Sequence, residues 1–230
     1  MKIGVIVLAR SSSRRLPNKH FLMINNKKVI DYIIDKLLIF FEKDQIVIAT
    51  SNKKEDNQFS IYAKEKNIKV FRGSLENVAE RFLNASINFD YSIRINGDNV
   101  FLDSKLIMDT LNNIKLGEYN IITNVIGNTY PSGMTIEAFK VSFYSHHLSL
   151  INNNSDWREH VSKYFYDNYK SFAGSTFEII NQRKIETKNM KISLDTKEDY
   201  ELLVKIANQF VLNHINYDME EIYEIYERIE

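Results

Sequence analysis

Ile3-Gly4-Val5-Ile6-Val7-Leu8-Ala9-Arg10-Ser11-Ser12-Ser13-Arg14-Arg15-Leu16-Pro17-Asn18-Lys19 decides how the chain is read. Ile3 to Leu8 has the length and β-branched content of a strand buried on both faces. A helical pattern begins near Val29. A buried strand therefore feeds a loop carrying Arg10, Arg14, Arg15 and Lys19 beside three adjacent hydroxyls, Ser11, Ser12 and Ser13. In open α/β sheets, loops at the carboxyl ends of the strands bind ligands. A dense cationic loop there suits a polyanion, and a triphosphate fits. Neither glycine-rich phosphate-loop pattern is present, so side chains must supply much of the phosphate binding. The alternative is a solvated basic turn, which does not need three serines and a Pro-Lys end directly after a buried strand.

Working outward, strand and helix patterns alternate. Val29 to Phe41 carries an apolar helical face at Val29, Ile30, Ile33, Ile34, Leu37 and Leu38. Strands are expected at Ile46–Ala49, Ile68–Phe71, Tyr91–Ile95 and Tyr119–Thr123. A polar, exposed helix, capped by Thr50-Ser51-Asn52, is expected through Asn67. An apolar-faced helix with Val78, Ala79, Phe82 and Leu83 inward follows Arg72-Gly73-Ser74. Another helix, capped by Asp103 or Ser104, runs to Leu116. This alternation predicts an α/β fold with a mostly parallel sheet and right-handed crossovers. From Val125 to Phe139 the rhythm breaks, and Gly127, Pro131 and Gly133 mark a loop or hairpin excursion. Helices are expected at Val141–Ile151 and Asp156–Tyr169, and a strand at Phe177–Ile180. A last strand, Lys191–Leu194, leads to a helix from Lys197 to Phe210 and an acidic amphipathic helix from Asp218 to Ile229.

The chain has 230 residues, a length that suits one α/β domain with an excursion at about 125–180. Lys and Arg number 30, as do Asp and Glu. A balanced charge argues against a nucleic-acid partner bound by broad phosphate neutralisation, so any basic site is local. Without cysteine there is no disulfide framework, thiolate nucleophile or zinc–thiolate site. No apolar run reaches membrane-spanning length. Arg10 interrupts the first apolar run too early for a signal peptide, so a cytoplasmic location is expected.

Two carboxylates, Asp98 and Asp195, stand at the ends of expected strands. If those strands are parallel neighbours, both acids share an edge with the first loop. Two carboxylates facing a triphosphate make a Mg²⁺ site, a hard cation held jointly by protein, phosphates and water. Competing readings treat Asp195 as a helix N-cap and Asp98 as part of an Asn-Gly-Asp turn.

Six segments in order carry a family resemblance. They are the Ala9–Lys19 loop, Phe71-Arg72-Gly73-Ser74-Leu75-Glu76-Asn77-Val78, Arg94-Ile95-Asn96-Gly97-Asp98, Tyr130-Pro131-Ser132-Gly133-Met134-Thr135-Ile136-Glu137, Arg158-Glu159-His160-Val161 and Leu194-Asp195-Thr196-Lys197-Glu198-Asp199. Together they resemble cytidylyltransferases of the spore-coat polysaccharide biosynthesis F type, relatives of the CMP-Kdo and CMP-acylneuraminate synthetases. The resemblance implies a Rossmann-like, GT-A-like nucleotidyltransferase fold. It also implies CTP and Mg²⁺ as requirements, a small sugar-acid or related acceptor, pyrophosphate release, a role in surface glycan synthesis and a symmetric homodimer. Carried over by position, Arg10, Ser13 and Lys19 would hold the triphosphate, with Leu8, Ala9, Ser11, Ser12, Arg14, Arg72, Asn96 and Gly97 completing the nucleotide site. Asp98 and Asp195 would hold the metal and, with Arg10 and Lys19, form the catalytic set. Arg94, Glu137, Arg158 and His160 would line the acceptor side, with Glu137 or His160 as general base. His160 also reads as a partly buried histidine among aromatic residues. Three departures stand out: Ser11-Ser12 for Met-Gly, Thr135 for an acid, and Lys197 for proline. A metal-dependent glycosyltransferase and a non-catalytic nucleotide-binding homologue are the competing functions. The four-cation loop argues against the first and the intact Arg10, Lys19, Asp98 and Asp195 against the second.

Overall fold

The computed structural model describes residues 1–183, 185, 187 and 190–229. Its centre is a seven-stranded sheet with strand order β5-β4-β1-β6-β8-β7-β9. The strands are β1 (Ile3–Leu8), β4 (Ile46–Ser51), β5 (Lys69–Gly73), β6 (Tyr91–Asn96), β7 (Ile121–Thr123), β8 (Glu137–Lys140) and β9 (Thr176–Glu178). A two-stranded hairpin, β2 (Met23–Ile24) with β3 (Lys27–Lys28), stands apart. β1 is buried because it is central: β4 and β6 pair with it in parallel on either side. Its alternate side chains enter two cores. Val5 and Val7 join one, and Ile6 and Leu8 the other. That period-two division is what a strand covered on both faces requires.

The first core lies beneath α1 (Val29–Leu37), α2 (Asn57–Lys66), α4 (Ser104–Leu116), α9 (Lys197–Ala207) and α10 (Met219–Ile229). The second lies beneath α3 (Val78–Ser86) and α5 (Val141–Ile151), with three short helices beside them. Among the described residues no helix is long and apolar enough to cross a membrane. The chain runs from β1 outward to β4 and β5, then returns past β1 to β6. The strand order therefore reverses between β1 and β6, and the crevice outside their carboxyl ends is the binding position of such sheets.

The mostly parallel sheet agrees with the sequence, and several local expectations change. β8, inside the segment read as a loop or hairpin, is antiparallel to both β6 and β7. Lys191–Leu194 is an extended segment touching Ser132 by an isolated bridge, not a strand of the central sheet. Its backbone is nevertheless held, because Ile192 N–H donates to Ser132 O (2.7 Å) and Leu194 N–H to Asp98 O (3.0 Å). The helix expected at Asp156–Tyr169 is three pieces, α6 (Ser155–Glu159), α7 (Lys163–Asp167) and α8 (Tyr169–Phe172). The backbone leaves helical geometry at His160 (φ −109°, ψ 97°), which ends α6. α2 is not simply exposed: Phe59, Tyr62 and Ala63 are buried on its inner side. Asp103 caps α4 by accepting from Leu106 N–H (2.7 Å).

Candidate active site

Leu8 pairs in register with Asn96, so the loop after β1 and the turn after β6 leave the sheet side by side. Gly97 N–H donates to Leu8 O (2.8 Å) and fastens the two exits together. A Cβ on Gly97 would lie 2.6 Å from Nε2 of His20, so only glycine lets the His20 ring pack there. Above these exits opens a cleft of about 1020 Å³. Arg10, Arg14, Arg15, Lys19, Arg81, Arg94 and Arg158 line it against Glu76, Asp98, Glu159 and Asp195. The protein is neutral overall, yet this cleft carries an excess of cations, as a polyanion site requires.

Ser11 gives the first loop its curl. Its N–H donates to Asp56 Oδ1 (2.7 Å) and its Oγ–H to Glu55 O (3.2 Å). Ser13 N–H and Asn18 N–H then both donate to Ser11 O. Burial pushes the Asp56 carboxyl up, but the hydrogen bonds it accepts from Ser51 and Ser11 prevail and hold it below the usual range. Ser11 is thus an internal pin, while Ser12, Ser13 and Arg14 face the cleft. Asn18 takes a left-handed backbone (φ 54°) that turns the chain into a short 3₁₀ turn, Lys19–Phe21.

That turn buries Lys19, only 7% exposed. Its ammonium donates to Leu194 O (2.6 Å), Asp195 Oδ1 (3.2 Å) and Asp98 Oδ2 (3.3 Å). One cation bridges both acids, so the two carboxyl groups share a small volume at the sheet edge, although Asp195 ends no sheet strand. Asp195 is not the cap of α9. Thr196 is, accepting from Asp199 N–H (3.3 Å). Among the described residues no group of three or more histidine or acidic side chains converges as a metal cage. Mg²⁺ takes one or two carboxylates and fills its other positions with phosphate oxygen and water, so Asp98 and Asp195 are the residues that could hold it.

His20 lies directly under the cleft, 3% exposed, with its ring edge-on to Phe59. Its Nδ1 has no hydrogen-bond partner. Burial, helped by the charge of Lys19, lowers its pKa from 6.5 to about 3, against a weaker pull from Asp56. The sign follows from linkage: the unfolded state binds this proton first, so the stability is present above about pH 6.5 and is lost as pH falls towards 3. His214, lowered to about 4 chiefly by burial, acts in the same window. Thermal melts from pH 7 to 4 should therefore show a steep loss of Tm in wild type and a shallower one in His20→Gln. Equal slopes would rule out a buried neutral His20.

On the opposite wall, Arg94 Nη1 is paired with Glu137 Oε2 and its Nη2 donates to Asn96 Oδ1 (2.6 Å). Glu137, 2% exposed, also accepts from Tyr166 OH, which in turn contacts Thr123 Oγ1 (2.9 Å). Burial raises the Tyr166 pKa to about 12. Glu137 therefore stands behind Arg94 rather than on the cleft wall. Arg72 also faces away, donating to Ser51 O (3.1 Å) and Lys53 O (2.7 Å). Ser11 is turned inward, and the other residues singled out from the sequence, among them Leu8, Ala9, Arg158 and His160, line the cleft. His160 is largely exposed, 3.5 Å from Asp156, and is not enclosed by aromatic rings. Arg81, Glu159 and His20 are also at the cleft. Arg81, next to Glu80, reads as an ordinary charged residue of an amphipathic helix, and His20, next to Lys19, as a surface or structural histidine, whereas Glu159 belongs to the Arg158-Glu159-His160-Val161 segment.

A family model described as cytidylyltransferase matches residues 4–228. The chain belongs to the cytidylyltransferase family. As a family member it is a nucleotidyltransferase with a Rossmann-like fold. An uncharacterised protein of Methanocaldococcus jannaschii is 29% identical over 226 residues, covering 96% of this chain and 89% of that protein. The spore coat polysaccharide biosynthesis protein SpsF of Bacillus subtilis is 27% identical over 204 residues, covering 85% of this chain and 82% of that one. A solved cytidylyltransferase from Leptospira borgpetersenii superposes with a TM-score of 0.88 at 28% identity, covering 100% of this chain and 95% of the other.

Proposed function

We propose that this cytidylyltransferase binds CTP with Mg²⁺ in the β1/β6 cleft and transfers CMP to a small sugar-acid or related acceptor, serving the synthesis of a surface polysaccharide or glycan. The convergence of the cationic first loop with Asp98, Asp195 and Lys19 carries this reading. The similarity to a spore coat polysaccharide biosynthesis protein supports the polysaccharide role. The chain would act as a single catalytic domain, as its length suits, in the cytoplasm, as its early Arg10 suggests, and as a homodimer, as the family resemblance implies.

In the transfer, an acceptor oxygen forms a bond to the α-phosphorus, the α–β phosphoanhydride bond breaks, and pyrophosphate leaves with the electron pair. Positioning and electrostatic stabilisation supply most of the rate in such displacements. Arg10 and Arg14, with the hydroxyls of Ser12 and Ser13, would orient the triphosphate. Lys19 would meet charge growing on the leaving group. Asp98 and Asp195 would hold Mg²⁺, which when bound neutralises phosphate charge. Arg94, held by Glu137 and Asn96, and Arg158 would orient an anionic acceptor. Of the two candidates for general base, His160 lines the cleft, whereas Glu137 is committed to Arg94 and Tyr166.

The test incubates the protein with Mg²⁺, each of the four nucleoside triphosphates and a panel of sugar-acid acceptors, and measures pyrophosphate. CTP should give acceptor-dependent pyrophosphate release and the largest thermal stabilisation. Preference for another triphosphate, or sugar transfer from a nucleotide sugar without pyrophosphate, would overturn the reading.

A further inference from the structure

We propose that Arg81, on the inner face of α3, is a phosphate-contacting residue of the nucleotide site. This inference rests on the nucleotide-binding reading above and extends it to a residue that no sequence motif marked. Arg81 lines the cleft, yet it is only 2% exposed. Its Nη1 donates to Ser74 O (2.6 Å) and more weakly to Leu75 O (3.5 Å). Its Nε–H is buried without a partner. Among the described residues no carboxylate forms an ion pair with it. Asp56 attracts it, but both Asp56 oxygens are already taken by Ser11 and Ser51.

A buried guanidinium normally sits against a carboxylate, because an uncompensated charge is costly to remove from water. Arg81 has the opposite neighbour. Burial, and then the nearby charge of Arg10, lower its pKa to about 10. Arg10 has a carboxylate of its own, Glu159, at 3.6 Å, whereas Arg81, among the described residues, has none. An unpaired Nε–H and an uncompensated charge at the cleft suit an anion from outside the chain. A neutral base would leave that charge unpaired, whereas phosphate oxygens would pair it. With Nη1 fixed by Ser74, the remaining edge of the fork is free for charge-assisted hydrogen bonds to two such oxygens. A Cβ on Gly73 would lie 2.8 Å from Phe71 Cε1 and 3.2 Å from Arg81 Cγ, so glycine lets Phe71 and the Arg81 stem pack together here.

The experiment titrates wild type, Arg81→Met and Arg81→Lys with inorganic tripolyphosphate, CTP and cytidine. Arg81→Met should weaken tripolyphosphate and CTP by the same factor, about tenfold or more, and leave cytidine unchanged. Arg81→Lys should recover part of the loss, keeping charge without the fork. Unchanged tripolyphosphate affinity in Arg81→Met overturns the proposal. So does an equal loss for cytidine, which would mean that Arg81 only props the cleft wall. A wild type that binds tripolyphosphate but not CTP sinks the nucleotide reading and leaves the anion role of Arg81 standing. Should the variants fail to fold, the Nε–H resonance of Arg81 in wild type, assigned through its own backbone, decides the matter. It should shift on adding tripolyphosphate, and a signal that stays still rejects the contact.

Discussion

Asp98→Asn should lose turnover on the order of a thousandfold while folding as wild type does. The carboxyl group lies 3.3 Å from Lys19 Nζ at the mouth of the sheet, half-buried and in reach of solvent. An amide keeps its shape but removes the charge that a hard dication needs. Asp195→Asn should fall nearly as far. Its carboxyl lies 3.2 Å from the same ammonium, and Arg15 reaches it at 3.3 Å. Because Thr196, not Asp195, caps α9, the Asp195→Asn variant keeps its helix start intact. The two substitutions therefore separate metal holding from helix capping. The measurements are steady-state rates across a Mg²⁺ titration and Tm in the absence of metal. Wild-type Mg²⁺ dependence in Asp195→Asn would leave Asp98 to act without it and would break the two-carboxylate site.

Glu137→Ala should instead unfold the protein more readily, by about 3–5 kcal/mol, because it strands Arg94 as a buried charge without its carboxylate. For a chain of this size that corresponds to a fall of roughly 6–20 °C in Tm. Glu137 sits on β8, paired opposite Arg94 on β6, so the ion pair also joins the antiparallel strand to the parallel half of the sheet. Glu137→Gln should be milder, since the amide oxygen still accepts from Arg94 while the shape is kept. Tyr166→Phe should cost about 1 kcal/mol, the scale of one lost hydrogen bond. Thermal and urea melts distinguish the three. A wild-type Tm for Glu137→Ala would show that Arg94 is not buried against it, and Glu137 would return to the cleft wall as an acceptor ligand.

Much of the site was legible because the relevant residues cluster at strand ends in sequence. Ile3–Leu8 is apolar on both faces, which happens only at the centre of a covered sheet, and the loop after it is cationic. Asn96-Gly97-Asp98 follows a second strand, Tyr91–Asn96, in which Tyr91, Ile93 and Ile95 alternate with Ser92 and Arg94. These two local patterns already define one edge of the cleft once β1 and β6 pair. Glu137 was harder, because its segment follows Gly127, Pro131 and Gly133 and reads as loop. Its strand is made by partners on both sides, not by its own propensity. Lys191–Leu194 shows the reverse, an alternating run that reads as a strand yet is held by an isolated bridge and two backbone hydrogen bonds in place of a sheet ladder.

The sequence by itself determined the alternating α/β order, the buried central strand, the absence of thiol chemistry and the cationic loop at a strand end. Each follows from periodicity or composition, which act over a few neighbouring residues. Only the tertiary structure decided which charged groups share a volume. Lys19 meets Asp98 and Asp195 from 79 and 176 residues away, Glu137 turns behind Arg94, and Arg81 is buried beside Arg10 without a carboxylate. Charge partnership depends on distance and burial, and both are set by how strands pair and helices cover them, not by spacing along the chain.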